Sequence, residues 1–241
     1  MGDTDLLLHG FAGTGASWDP VIQAAADRRW RPQAPDLPGH GPQPRAPEGP
    51  IPVTAAELAR RYAPVRTLAG YSMGGRLALQ VALDRPAFAE RLVLVSCSAG
   101  IQDPEERTRR READDLLAGR FEAMEPDEVA DLWLAGPLFA HDPPVVQGLA
   151  RRQIVRNDPA ALAAALRALG PGAMEPLWDR LGELALPVTI LAGERDRAYV
   201  GLAERMAGQI AGADVVVVAG AGHGLLREAP GAVADAVLAG R

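Results

Sequence analysis

The sequence contains no lysine: all 25 of its basic residues are arginine. Chemistry that needs a lysine amine is thereby excluded, whether Schiff-base formation, pyridoxal phosphate attachment or a P-loop phosphate contact. Arginine is left as the only permanent side-chain cation for binding an anion. Cysteine is scarce as well. The single residue, Cys97, forbids an internal disulfide and points to a reducing cytoplasm. Its place at the end of an apolar run reads as a small core residue rather than a reactive thiol. No stretch approaches the roughly 18 apolar residues that span a bilayer, so no membrane partner is expected. The start, Met1 to Asp5, is acidic and resembles no signal peptide, and Leu6 excludes a myristoylation motif. A formal net charge of −6 argues against nucleic acid. No internal repeat or low-complexity linker is present, and neither a metal nor a cofactor is expected. The oligomeric state is left open, a monomer being compatible.

What is present is a hydrophobic fraction of 48% over 241 residues, enough for one core with a large insertion. Short apolar runs alternate with longer helical patterns, which predicts a mostly parallel sheet flanked by helices. Strands are expected at residues 5–9, 65–69, 91–96, 188–193 and 214–218, with a weaker one near 31–34. Ser17 is a candidate cap for the first helix; further helices are expected near 54–62, 75–83 and 230–238. Between residues 101 and 184 the alternation stops and the pattern becomes helical and charged, with Trp133 and Trp178 inside it. Helices inserted between two strands cannot widen the sheet. The expectation is a core of residues 1–100 and 185–241 with a helical lid, 101–184, before the strand leading to Asp196.

Chemistry enters at Gly70-Tyr71-Ser72-Met73-Gly74, a G-x-S-x-G pentapeptide between a strand pattern and a helix pattern. A serine on such a turn is lifted above the sheet edge, and small residues on either side let the backbone close. A base and an orienting acid are then required. Of four histidines, His223 follows the last strand in Gly220-Ala221-Gly222-His223-Gly224 and is the candidate base. Asp196, in Gly193-Glu194-Arg195-Asp196 after the preceding strand, is the candidate acid, with Glu194 a structural partner. The N–H of Met73 and that of Phe11 or Ala12 are candidates for an oxyanion hole. His9 reads as a tie between its loop and residues 36–41, His40 as a loop residue, and His141 as exposed.

In combination these motifs resemble the α/β-hydrolase superfamily over essentially the whole chain. A finer resemblance is to the MenH family of 2-succinyl-6-hydroxy-2,4-cyclohexadiene-1-carboxylate (SHCHC) synthases of menaquinone biosynthesis. It rests on Tyr71-Ser72 followed by Arg76, on Gly100 to Asp103 followed by Glu106, Arg107 and Arg110, and on Asp131-Leu132-Trp133 with Pro137-Leu138-Phe139. Gly170 to Gly172, Pro176 to Trp178 and the segment Gly193 to Asp196 extend it. The resemblance implies an enzyme that eliminates pyruvate from a cyclohexene polycarboxylate, with Ser72, His223 and Asp196 acting as base. It further implies substrate contacts from Tyr71, Arg76, Arg110 and Trp133. Two departures stand out. The hairpin that precedes the first strand in larger relatives is expected to be short or missing. The family's later lid arginine is displaced, leaving both Arg152 and Arg156 as candidates. The alternative is a serine hydrolase of the same fold that cuts an ester or carbon–carbon bond.

Overall fold

Each apolar run has alternate side chains that can serve two faces of a sheet, and turn residues bound it. The computed structural model describes residues 4–42, 44–139 and 142–240. Its elements in chain order begin β1 (Leu6–Leu8), α1 (Asp19–Ala24), α2 (Ile51–Arg61), β2 (Val65–Tyr71), α3 (Met73–Asp84) and β3 (Ala89–Val95). Four helices follow: α4 (Pro104–Phe121), α5 (Pro126–Leu134), α6 (Pro144–Ile154) and α7 (Pro159–Leu169). The chain then returns through β4 (Val188–Gly193), α8 (Arg197–Ala207), β5 (Asp214–Val218), α9 (Leu225–Glu228) and α10 (Pro230–Leu238).

The five strands pair in the order β1-β2-β3-β4-β5, every pair parallel. Alternation sorts the core into two halves. Leu6, Leu8, Leu68, Leu92, Leu94 and Ile190 pack on one face with α2, α3 and α8. Leu7, Ala69, Val93, Val95 and Leu191 pack on the other with Trp18, Val21 and the α9–α10 segment. A third apolar cluster joins α4–α7 to Ala12, in the loop after β1. Because all strands are parallel, their carboxyl ends share one edge, where such sheets place their ligands.

Two local expectations are corrected. Residues 31–34 make only an isolated bridge, Gln33 to Leu6; Pro32 and Pro35 lack the N–H groups a ladder needs. Ser17 is not the cap of α1. It lies within a preceding 3₁₀ turn, Gly15–Trp18, and its hydroxyl accepts the Thr14 N–H at 3.1 Å. Among the described residues, no helix is long and apolar enough to cross a membrane.

Candidate active site

The elbow between β2 and α3 is tight. Ser72 has φ 52° and ψ −110°, a conformation that side-chain-bearing residues adopt only under constraint. A Cβ at Gly70 would sit 2.2 Å from the Gly74 carbonyl oxygen, and one at Gly74 would sit 2.2 Å from that of Leu8. Met73 opens α3, so its N–H has no acceptor within the helix. The loop after β1 turns back through a Gly13 N–H to Gly10 carbonyl bond of 3.1 Å, with Phe11 and Ala12 (φ 58°) at its centre.

Three loops deliver three side chains to one point. The His223 imidazole, from the loop after β5, donates through Nδ1 to Asp196 Oδ2 at 2.7 Å, and its Nε2 lies 3.3 Å from Ser72 Oγ. The carboxylate fixes the tautomer in which Nε2 is free to accept a proton. The Ser96 hydroxyl donates to the His223 carbonyl at 3.1 Å and holds the loop down. Glu194, beside the acid, accepts the Gly220 N–H at 2.8 Å and braces the two loops.

The other described histidines are structural. His9 donates from Nδ1 to the Gly10 carbonyl at 2.8 Å and accepts the Leu37 N–H on Nε2 at 2.9 Å, so it ties two loops together. Burial holds it down to about 4. His40 lies 5.0 Å from the His9 ring; burial, then the neighbouring His9, push it down to about 3. His141 lies outside the described residues.

A cavity of about 470 Å³ opens beside Ser72, and Phe11, Arg76, Arg110, Trp133 and Tyr199 line it. Arg76 stands one turn along α3 from the serine, its N–H bonded to the Ser72 carbonyl at 3.2 Å. Its side chain is only 7% exposed, and its Nη1 is buried with no hydrogen-bond partner. Among the described residues no carboxylate forms an ion pair with it; Asp114, paired to Arg110, attracts it only from farther away. Burial pushes this guanidinium down to about 10, still charged at neutral pH. Arg110 differs: its Nε donates to Asp114 Oδ1 at 2.8 Å, and that buried carboxylate also takes the Gly172 N–H at 3.3 Å. Asp114 is legible as the i+4 partner of an arginine on one helix. Trp133 packs on Phe11 with ring centroids 4.8 Å apart, forming an apolar wall.

Two expected contacts fall elsewhere. Tyr71 does not line this cavity. Its ring lies beneath Gly10, where a Cβ would approach to 2.8 Å, and it faces a separate space of about 30 Å³ shared with Arg227. Burial pushes its phenol up to about 12. Arg152 and Arg156 are both exposed and line no part of the cavity. The inward face of α6 is set by Val146, Ala150 and Ile154, and Arg152 lies two residues from each of the last two. Arg156 lies past the helix end, where Asn157 turns inward instead. Asn157 donates to the Ala12 carbonyl at 3.1 Å and accepts the Gly41 N–H at 2.8 Å, locking the loop after β1.

Comparison with known proteins agrees with this architecture. The family model described as "Alpha/beta hydrolase family" matches residues 6–236. The chain is 32% identical over 238 residues to the 2-succinyl-6-hydroxy-2,4-cyclohexadiene-1-carboxylate synthase of Salmonella heidelberg (strain SL476), covering 96% of this chain and 91% of that protein. The solved structure of MenH from S. aureus superposes with a TM-score of 0.86 at 30% identity, covering 94% of this chain and 88% of that one. A thermophilic esterase from Thermogutta terrifontis, solved with malate bound, superposes at 0.81 with 27% identity, over 98% and 88% of the two chains. This protein is an enzyme of the alpha/beta hydrolase family and belongs to the branch that holds the 2-succinyl-6-hydroxy-2,4-cyclohexadiene-1-carboxylate synthases.

Proposed function

We propose that this enzyme eliminates pyruvate from 2-succinyl-5-enolpyruvyl-6-hydroxy-3-cyclohexene-1-carboxylate to give SHCHC, with Ser72, His223 and Asp196 working as the base. The observation that carries the reading is Arg76. A charged guanidinium buried without a carboxylate partner, one helical turn from Ser72, suits a substrate that brings its own carboxylate. A neutral ester gains nothing from it. Arg110, already paired with Asp114, adds a second cation at the cavity wall without a large excess of charge.

In this reading His223 accepts a proton from an acidic ring carbon, directly or through the Ser72 hydroxyl, and Asp196 supports the imidazolium. The electrons form the new ring double bond, the ring carbon–oxygen bond breaks, and enolpyruvate leaves and tautomerises to pyruvate. The N–H groups at Met73 and in the Phe11–Ala12 turn face the charge that builds on a substrate oxygen. Phe11 and Trp133 exclude water around the ring.

The esterase neighbour favours a second reading, ester hydrolysis through a Ser72 acyl-enzyme. Pyruvate release, followed by coupling to lactate dehydrogenase while the diene product is read in the ultraviolet, separates the two. Stoichiometric pyruvate and diene support the elimination; turnover of simple esters with no pyruvate from the cyclohexene substrate refutes it.

A further inference from the structure

Tyr199 is an aromatic residue at the start of an amphipathic helix, a pattern that ordinarily reads as core. The structure gives it a second place: it packs against the core on the α8 side of the sheet and also reaches the site. It stands in the first turn of α8, three residues after Asp196, and the Val200 N–H bonds the Asp196 carbonyl at 3.0 Å. The backbone that carries the acid therefore carries this ring too. Three aromatic rings surround the His223 imidazole. Tyr71 and Phe139 each lie 5.7 Å away, and Tyr199 is nearest at 4.6 Å, meeting it edge-on at 64°. Tyr199 is also a wall of the cavity that holds Ser72, Arg76 and Arg110. Its phenol interacts electrostatically with both guanidinium groups, and burial raises its pKa, so it stays a neutral donor.

We infer that Tyr199 joins the anion grip to the proton-transfer machinery, its hydroxyl donating to the substrate carboxylate that Arg76 holds and its ring fixing the His223 imidazole. The inference rests on the elimination reading given above. The physical grounds are two. A carboxylate has about four lone-pair sites, and a bidentate arginine fork occupies two of them. A third donor on the same wall satisfies part of the remainder where water is excluded. The imidazole, for its part, is tethered at 2.7 Å to Asp196 and meets Ser72 only at 3.3 Å, so it must not swing about the Asp196 bond if Nε2 is to stay toward Ser72. The Tyr199 ring, its centroid 4.6 Å from that of the imidazole, blocks that swing on one side.

The two halves of the role separate by substitution, with steady-state pyruvate release from the cyclohexene substrate as the assay. Tyr199→Phe keeps the ring and loses the hydroxyl. It should raise KM roughly 10-fold, as for a lost hydrogen bond to a charged group, with kcat within about twofold of the parent. Tyr199→Leu loses both and should show the same rise in KM plus a fall in kcat of about 10-fold or more. Should the leucine variant fail to fold, Tyr199→Met tests the ring in its place. An unchanged KM in Tyr199→Phe overturns the hydroxyl contact, and a kcat in Tyr199→Leu equal to that of Tyr199→Phe overturns the positioning role. Both results would leave the elimination reading standing, because the parent enzyme still turns over. Absence of pyruvate from the parent enzyme strikes that reading itself, and the inference falls with it.

Discussion

Replacing Arg76 by methionine should make the protein more stable and its substrate site worse. The guanidinium is 7% exposed, faces the cavity, and has a buried Nη1 without a partner. Burial lowers it to about 10. At about 1.4 kcal/mol for each tenfold change in proton affinity, that depression corresponds to about 3 kcal/mol of cost for keeping the charge buried. The sign follows from linkage. The folded state binds this proton less tightly than the unfolded chain, so the cost is complete at every pH below about 10 and shrinks above it. Methionine retains most of the aliphatic stem and removes the charge. Arg76→Met should therefore gain about 1–3 kcal/mol, a rise in Tm of roughly 2–10 °C for a chain of this size. The same change removes the fork, and KM should rise by about 10²-fold, with Arg76→Lys recovering only part of it. Calorimetry and the pyruvate assay on the same preparations read the two effects. A variant with lower Tm and unchanged KM would refute the reasoning, because it would make Arg76 a structural residue rather than an anion site held open at a cost.

The remaining expectations concern other parts of the structure. Ser72→Ala and His223→Ala should each cut turnover by about 10²-fold or more while leaving the circular dichroism melt cooperative, as for a positioned acid–base pair; near-parental activity in either would remove the base assignment. Gly74→Ala places a Cβ 2.2 Å from the Leu8 carbonyl oxygen and should lower Tm by several degrees, since backbone must move to admit it; an unchanged melt would contradict the elbow geometry. Arg152→Ala and Arg156→Ala should leave KM within about twofold, both side chains being exposed and off the cavity wall. His9 and His40 sit at about 4 and about 3 in the folded state, below the ordinary imidazole value. The unfolded chain then binds more protons as the medium acidifies, so stability should fall from roughly pH 6.5 down to about pH 3. Urea titrations across that range should show a shallower decline in His40→Phe than in the parent, and identical slopes would count against the buried neutral pair.

Chain order made the triad legible. A serine after one strand, an acid after a later one and a histidine after the last have one spatial meaning on a parallel sheet, and the side chains of Ser72, Asp196 and His223 do converge. Arg76 was legible as one helical turn past the serine, and Arg110 only through the family resemblance; both line the cavity. The placement of Arg152 and Arg156 was not legible, because the inward face of α6 is set by Ala150 and Ile154, which join a cluster with Ala12 and Phe121, residues remote in sequence. Tyr71 is adjacent to the serine, yet strand alternation sends its ring under the oxyanion-side loop rather than into the cavity. The strand near Gln33 failed on local grounds, two prolines within four residues. Tyr199 gave a weak signal only: a polar-tipped ring three residues past the acid.

The most direct test of the central claim is turnover of the cyclohexene substrate in ¹⁸O-labelled water, with pyruvate trapped at once as lactate. Trapping prevents slow carbonyl exchange from obscuring the result. If Ser72 and His223 act as a base, the oxygen in the leaving group comes from the substrate's own ether link. The account predicts equimolar lactate and diene, both unlabelled at early times, and a Ser72 of unmodified mass throughout turnover. Label in a product carboxylate together with an accumulating adduct on Ser72 would contradict it, and would place the chain with the hydrolases of its fold instead.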